Sequence, residues 1–176
     1  MNGTPPRNLE RRTRADQLEA NRRALMKAAV HLVGKDGYAK TSVVRITTRA
    51  GLGQGTFYTY FDSRQELFDL LLPEVGNEIL EFVRARVVGS KIIIDVEERS
   101  FKAFVDYLLH NPAYIRILIE AGTMAPKAGR EHTQSVVEQH VATLMHAWDK
   151  GQLPSYSRKE IPSLSAVLLA LRMHFV

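Results

Sequence analysis

The stretch Thr41-Ser-Val-Val-Arg-Ile-Thr-Thr-Arg-Ala-Gly-Leu-Gly-Gln-Gly-Thr-Phe-Tyr-Thr-Tyr-Phe61 decides the fold. Val43, Ile46 and Ala50 recur at three- and four-residue steps, which gives a short helix one apolar face. Thr41 or Ser42 can cap that helix, because a hydroxyl oxygen accepts from an unpaired N–H of the first turn. Gly51 permits a sharp break by accepting a left-handed conformation, and Leu52 fills the corner. A second short helix covers about Gln54 to Tyr60, anchored from behind by Phe57 and Phe61. A short helix, a glycine turn and a rigidly held second helix make a helix-turn-helix.

That anchoring leaves Gln54, Gly55, Thr56, Tyr58, Thr59 and Tyr60 facing outward. A Gln side chain can bond adenine N6 and N7 in a major groove, and a threonine methyl can touch that of thymine. Gly55 lets the backbone approach a duplex closely. Tyr58, Tyr60 and Arg64 suit phosphates, as do Thr41, Ser42 and Arg45 on the nearer helix, and such contacts set register rather than sequence. A purely structural helical hairpin is the competing reading, and charge separates the two. Residues 1–64 carry 12 Lys+Arg against 5 Asp+Glu, whereas residues 65–176 carry 12 against 14. The chain's net charge of +5 therefore sits on the segment that holds the motif, as expected of a module facing phosphates.

Working outward, residues 1–14 read as a flexible basic arm with Pro5-Pro6 and little to bury. From Asp16 a helical period runs through Leu18, Leu25, Ala28, Ala29, Leu32 and Val33, closed by Gly34 and Gly37. Past the motif, Asp62 or Ser63 caps a long helix to about Val88, with Glu66 placed as the capping-box partner of Ser63 and Pro73 expected to kink it. Further helices are expected at about Asp95–His110, from Asn111-Pro112 to Gly122, at Glu131–Lys150 and from Lys159 onward. Met124–Gly129 and Gly151–Pro154 read as loops, and only Ile92–Ile94 looks strand-like. The expected fold is all-α: a helix-turn-helix head over residues 15–64, joined by a long helix to a helical domain over 65–176 for ligand binding and dimerisation.

The 176 residues include no cysteine, which excludes disulfides and thiolate chemistry. No apolar run resembles a signal peptide or spans a bilayer, so a soluble, cytoplasmic protein with no membrane partner is expected. Gly51-x-Gly53-x-Gly55 lacks both a preceding strand and the final glycine of a dinucleotide loop. No carboxylate cluster or nucleophile–base pair is legible either, so no catalytic residue is assigned and an enzyme is not expected. His132, His140 and His146 are spaced by eight and six, not at the i, i+4 spacing that sets ligands side by side, so no metal site is assigned. A helical adaptor for protein partners would not need the basic excess to coincide with the turn motif.

The motif resembles the TetR family of bacterial regulators. The shared elements are Gly37-Tyr38, Thr41-Ser-Val, Ile46, Ala50-Gly51-Leu52, Gly55-Thr56-Phe57-Tyr58 and Tyr60-Phe61-x-x-Arg64-x-x-Leu67, and the resemblance spans about residues 18–72. It implies a homodimer with two DNA-binding heads, no cofactor, and a helical core that binds a small-molecule effector. It also implies repression from a palindromic double-stranded operator, relieved by that ligand. Two departures stand out. Thr47 replaces a common alanine and needs a hydroxyl partner such as a backbone carbonyl. Gly53 replaces a common Ser or Thr cap. Family members also usually end with one more helix, whereas this sequence stops at Val176 in an apolar run, so either the dimer surface is shortened or the sequence is incomplete.

A sensing pocket would lie between helices and be mostly apolar. The candidates are Phe82, Phe101, Phe104, Tyr107, Tyr114, Met124, His140, Met145 and Trp148, each of which serves equally as ordinary core. Leu164, Val167, Leu168 and Leu171 form either a dimer stripe or a face packed on the chain's own core.

Overall fold

The structure, a computed structural model, describes residues 14–174. The expected N-terminal arm lies outside the described residues, apart from Arg14. Eight α-helices follow in order: α1 Arg14–Asp36, α2 Val43–Ala50, α3 Gln54–Phe57, α4 Arg64–Val87, α5 Ile93–His110, α6 Pro112–Met124, α7 Pro126–Asp149 and α8 Ile161–His174. A single 3-10 turn, Arg158–Glu160, precedes α8. The described residues contain no strand, and none of their helices is long and apolar enough to cross a membrane.

Local chemistry sets the boundaries. Helix α1 passes through Gly34 and ends at Gly37, whose φ of 85° only glycine adopts without strain. Gly34 stays inside the helix because Ala113 of α6 occupies the space a side chain would need. Ser42 caps α2 by accepting from the Arg45 N–H, and Gly51 closes it in the left-handed region. Thr41 is instead fully buried and donates to the Gly37 carbonyl. Thr47 is buried too, and its hydroxyl donates to the Val43 carbonyl at 3.0 Å, the partner its position demands. Ser63 caps α4 by accepting from the Glu66 N–H. The Glu66 carboxylate reaches one residue further out than a capping box requires and accepts from Asp62 N–H. Pro73 stands inside α4 without interrupting it.

Three expectations are corrected. Ile93 and Ile94 open α5 rather than a strand, because three residues unpaired with any other strand gain more as a first helical turn. The expected loop Met124–Gly129 shrinks to the single joint Ala125, since Pro126 suits a helix first turn and the Gly129 N–H already donates to the Ala125 carbonyl at 2.8 Å. Helix α3 is shorter than expected: after Phe57 the chain continues as turns to Phe61.

Two cores result. The larger one joins the head to the helical domain: Leu25, Val33, Tyr38, Ile46, Phe57 and Phe61 pack in one cluster with Leu67, Leu71 and Ile117. Each such fully buried side chain contributes about 1.5–3 kcal/mol. The core is continuous across Arg64, so the first turns of α4 belong physically to the head. The smaller core, at the far end, gathers Ile93, Leu144, Ala147 and Ile161, with Met145, Trp148, Leu164 and Leu168 against it. The last helix therefore splits its stripe. Leu164 and Leu168 pack on the chain's own core, while Val167 and Leu171 stay exposed.

Candidate nucleic-acid interface and cavity

Phe57 and Phe61 are buried, with ring centroids 5.3 Å apart. Pinning both rings turns the opposite side of the α3 segment to solvent. Gln54, Gly55, Tyr58 and Thr59 are exposed there, with Tyr58 at 57%, and Thr56 and Tyr60 are half-buried at the edges. Gly53 starts α3 without a side-chain cap, as its lack of a hydroxyl dictates. Nothing lies within 4 Å of where a Cβ at Gly55 would sit. No internal packing therefore calls for glycine in that helix, where it costs about 1 kcal/mol relative to Ala.

The phosphate candidates divide. The Arg64 guanidinium donates to the Thr41 carbonyl at 3.3 Å, lies 5.3 Å from the centroid of Phe68, and is held at the surface. Arg45 reaches back to the Lys40 carbonyl at 2.6 Å and to the Asp36 carboxylate, whose pKa it holds below the ordinary carboxylate range. Ser42 is half-buried as a cap. Thr41 leaves the set, because a 0% exposed hydroxyl bonded to Gly37 cannot face a phosphate.

A cavity of about 400 Å³ opens in the helical domain between α4, α5, α6, α7 and α8. Its wall is apolar, formed among others by Leu72, Ile79, Val83, Leu118, Val136 and Leu169. Of the nine residues expected there, only Phe104 lines it. Phe82, Tyr107 and Tyr114 stack on one another instead, with centroids 4.9 and 5.6 Å apart, and both tyrosines donate to Glu78. Burial and that carboxylate push both phenol pKa values up. Tyr114 also borders a separate cleft between α1, α4 and α6. Met124 packs on the larger core, Met145 and Trp148 on the smaller one, and Phe101 is half-buried outside the cavity wall.

His140 sits in a buried ladder. Its Nε2 meets Glu97 Oε1 at 3.0 Å and its Nδ1 meets Ser165 Oγ at 2.8 Å, while Arg172 donates to Glu97 Oε2 at 2.7 Å and Ser100 Oγ at 2.8 Å. Burial pushes the Glu97 carboxyl up, but the bonds and charges of His140 and Arg172 outweigh it and leave the pKa below its ordinary value. Carboxylate, imidazole and hydroxyl in a row suit nucleophilic chemistry only where the hydroxyl meets a substrate. Ser165 is 0% exposed, so the row ties α5, α7 and α8 together instead. The features that mark the cavity in the sequence are small residues facing inward: Gly76 on α4, and Ala166 and Ala170 one turn apart on α8.

Comparison with known proteins decides the class. The model of the bacterial regulatory proteins of the tetR family matches residues 25–71, which contain the whole anchored motif and the first turns of α4. The segment over residues 25–71 is of the tetR family. The chain is 26% identical over 163 residues to the HTH-type transcriptional repressor NicS of Pseudomonas putida, covering 89% of this chain and 74% of that relative. It is 30% identical over 67 residues, 34% of the relative, to the HTH-type transcriptional regulator YvdT of Bacillus subtilis. Solved structures share its fold along most of both chains. The fatty acid degradation regulator FadR of Bacillus halodurans superposes with a TM-score of 0.73 at 17% identity, over 87% of this chain and 82% of that one. A TetR-family regulator of Marinobacter aquaeolei does so at 0.71 and 20%, over 92% and 84%. The chain is thus a transcriptional regulator with a DNA-binding head, not an enzyme.

Proposed function

We propose that this regulator acts in the cytoplasm as a homodimer that represses from a partly palindromic operator and is released by a small, mostly apolar molecule. The observation that carries the reading is the outward face of Gln54, Gly55, Tyr58 and Thr59, held rigid by Phe57 and Phe61 at the basic end of the molecule. Two such faces enter successive major grooves about 34–36 Å apart. Gln54 and the Thr56 and Thr59 methyls read base edges, Gly55 permits close approach, and Tyr58, Tyr60, Arg64, Ser42 and Arg45 grip phosphates. The exposed Val167 and Leu171 supply part of the dimer face. The NicS relative is described as a repressor, which favours repression here.

Both α4 and α6 line the cavity and both touch the head, so a ligand that spreads them changes the spacing of the recognition helices. Leu118 stands in the cavity wall, and two residues on, Glu120 holds the N–H of Tyr38. Arg116 of the same helix donates to the Lys35 carbonyl at 2.7 Å. Ligand and operator then oppose each other reciprocally. The test is fluorescence anisotropy on operator and scrambled duplexes. Tyr58→Ala and Arg64→Ala should weaken binding to both, and Gln54→Ala should change the preference between them. Unaltered binding by all three variants contradicts this docking.

A further inference from the structure

The cavity is apolar almost throughout, and its polar wall residues are His132, Thr133 and Arg172. Arg172 is paired with the Glu97 carboxylate and bonded to Ser100 through its Nη2, so its charge is already balanced. Thr133 is exposed where the cavity meets an outer groove. His132 differs from both. It is half-buried in the wall and makes no hydrogen bond or ion pair among the described residues. Burial alone acts on its pKa, and it lowers it, so the ring is neutral at pH 7 and offers one donor and one acceptor.

The position of the ring is built rather than incidental. Gly76 lies in the interior of α4, where glycine destabilises a helix relative to Ala. A Cβ there would stand 2.1 Å from the Cε1 of His132 and 2.3 Å from its Nε2. The imidazole therefore fills the space of the missing side chain and lies directly on the helix that leads to the DNA-binding head. A polar group left unpaired in an apolar cavity is costly, and a ligand that supplies its partner recovers that cost.

We propose that the cavity takes an uncharged, mainly apolar molecule bearing one hydroxyl or carbonyl group, anchored by a hydrogen bond to His132. The inference rests on the ligand-cavity reading above and adds to it the chemical class of the ligand and its anchor. An anion is disfavoured, because the neutral imidazole brings no charge and Arg172 has none to spare. Attachment at His132 also couples the ligand to α4 through the ring that lies on Gly76.

The experiment measures binding of naphthalene, 2-naphthol and 2-naphthoate to the intact protein by equilibrium dialysis. The three share one ring system and differ in a single group. The expected result is that 2-naphthol binds about fivefold more tightly than naphthalene, as one net hydrogen bond provides, and that 2-naphthoate binds most weakly. In His132→Phe the naphthol advantage should vanish while naphthalene still binds, and in His132→Gln part of the advantage should remain. If naphthalene binds but native protein shows no naphthol preference, or the preference survives His132→Phe, or naphthoate binds most tightly, the His132 assignment is overturned alone. If none of the three binds, the cavity reading falls and the assignment with it.

Discussion

The Glu120 carboxylate accepts the backbone N–H of Tyr38 at 3.0 Å, joining α6 of the helical domain to the turn that follows α1, 82 residues earlier. Close by, Gly34 of α1 receives Ala113, and the Arg116 guanidinium pairs with Glu120. The head is therefore fastened to the helix that also lines the cavity. Removing the acceptor leaves the Tyr38 N–H without a partner at a buried residue. Glu120→Ala should lower stability by about 1–3 kcal/mol and should reduce ligand-induced release of the operator. Glu120→Gln, which keeps an acceptor, should lose less than half as much. Urea unfolding with operator anisotropy checks both, and equal losses in the two variants would deny the hydrogen bond its role.

Gly55 separates stability from binding. With open space around its Cβ, Gly55→Ala should raise helix stability by up to about 1 kcal/mol. The added methyl on the side proposed to face DNA should weaken operator binding tenfold or more. A variant that is more stable and binds DNA as well as the native protein would show that the face does not approach the duplex.

Tyr38 carries a buried hydroxyl with no hydrogen-bond partner, while its ring meets Phe68 edge-on at 4.8 Å. Burial and the nearby Glu120 and Asp69 carboxylates push the phenol pKa up, so the group stays neutral. Tyr38→Phe keeps the ring contact and removes the unpaired hydroxyl, and should leave stability unchanged or raise it by about 1 kcal/mol. A loss beyond about 1 kcal/mol in thermal or urea unfolding would reveal a partner for that oxygen.

Glu97 gives stability a pH dependence of definite sign. Its folded pKa lies below the ordinary 4.5, so its contribution is fully present above that value and is lost as pH falls through the folded pKa. Glu97→Gln, which strands the Arg172 charge, should cost about 3–5 kcal/mol at pH 7. The gap between native and variant should narrow as pH drops below about 4.5. A gap that is constant from pH 7 to pH 3 would contradict the pairing.

The head was legible from its sequence because its geometry depends on local chemistry: a hydroxyl cap at Ser42, a left-handed Gly51, and rings at Phe57 and Phe61 on one side of a single turn. Thr41 and Ser42 looked interchangeable as caps, and only the path of the chain past Gly37 buried one of them. The cavity was not legible, for a physical reason. A void forms where facing helices present small residues, and Gly76 is separated from Ala166 and Ala170 by 90 or more positions that only the fold brings together. Large aromatics such as Tyr107, Tyr114 and Trp148 filled space elsewhere. In the sequence His132 is one member of a histidine series, and only the fold sets its ring in the space left by Gly76.

In the proposed function, the α3 face reads a palindromic site as part of a dimer. DNA retained on the purified protein from a random duplex pool, once sequenced, tests this without assuming an operator. Inverted half-sites whose centres lie about one helical turn apart are expected, with enrichment lost for Tyr58→Ala. No enrichment over the starting pool, or a lone half-site without an inverted partner, would contradict it.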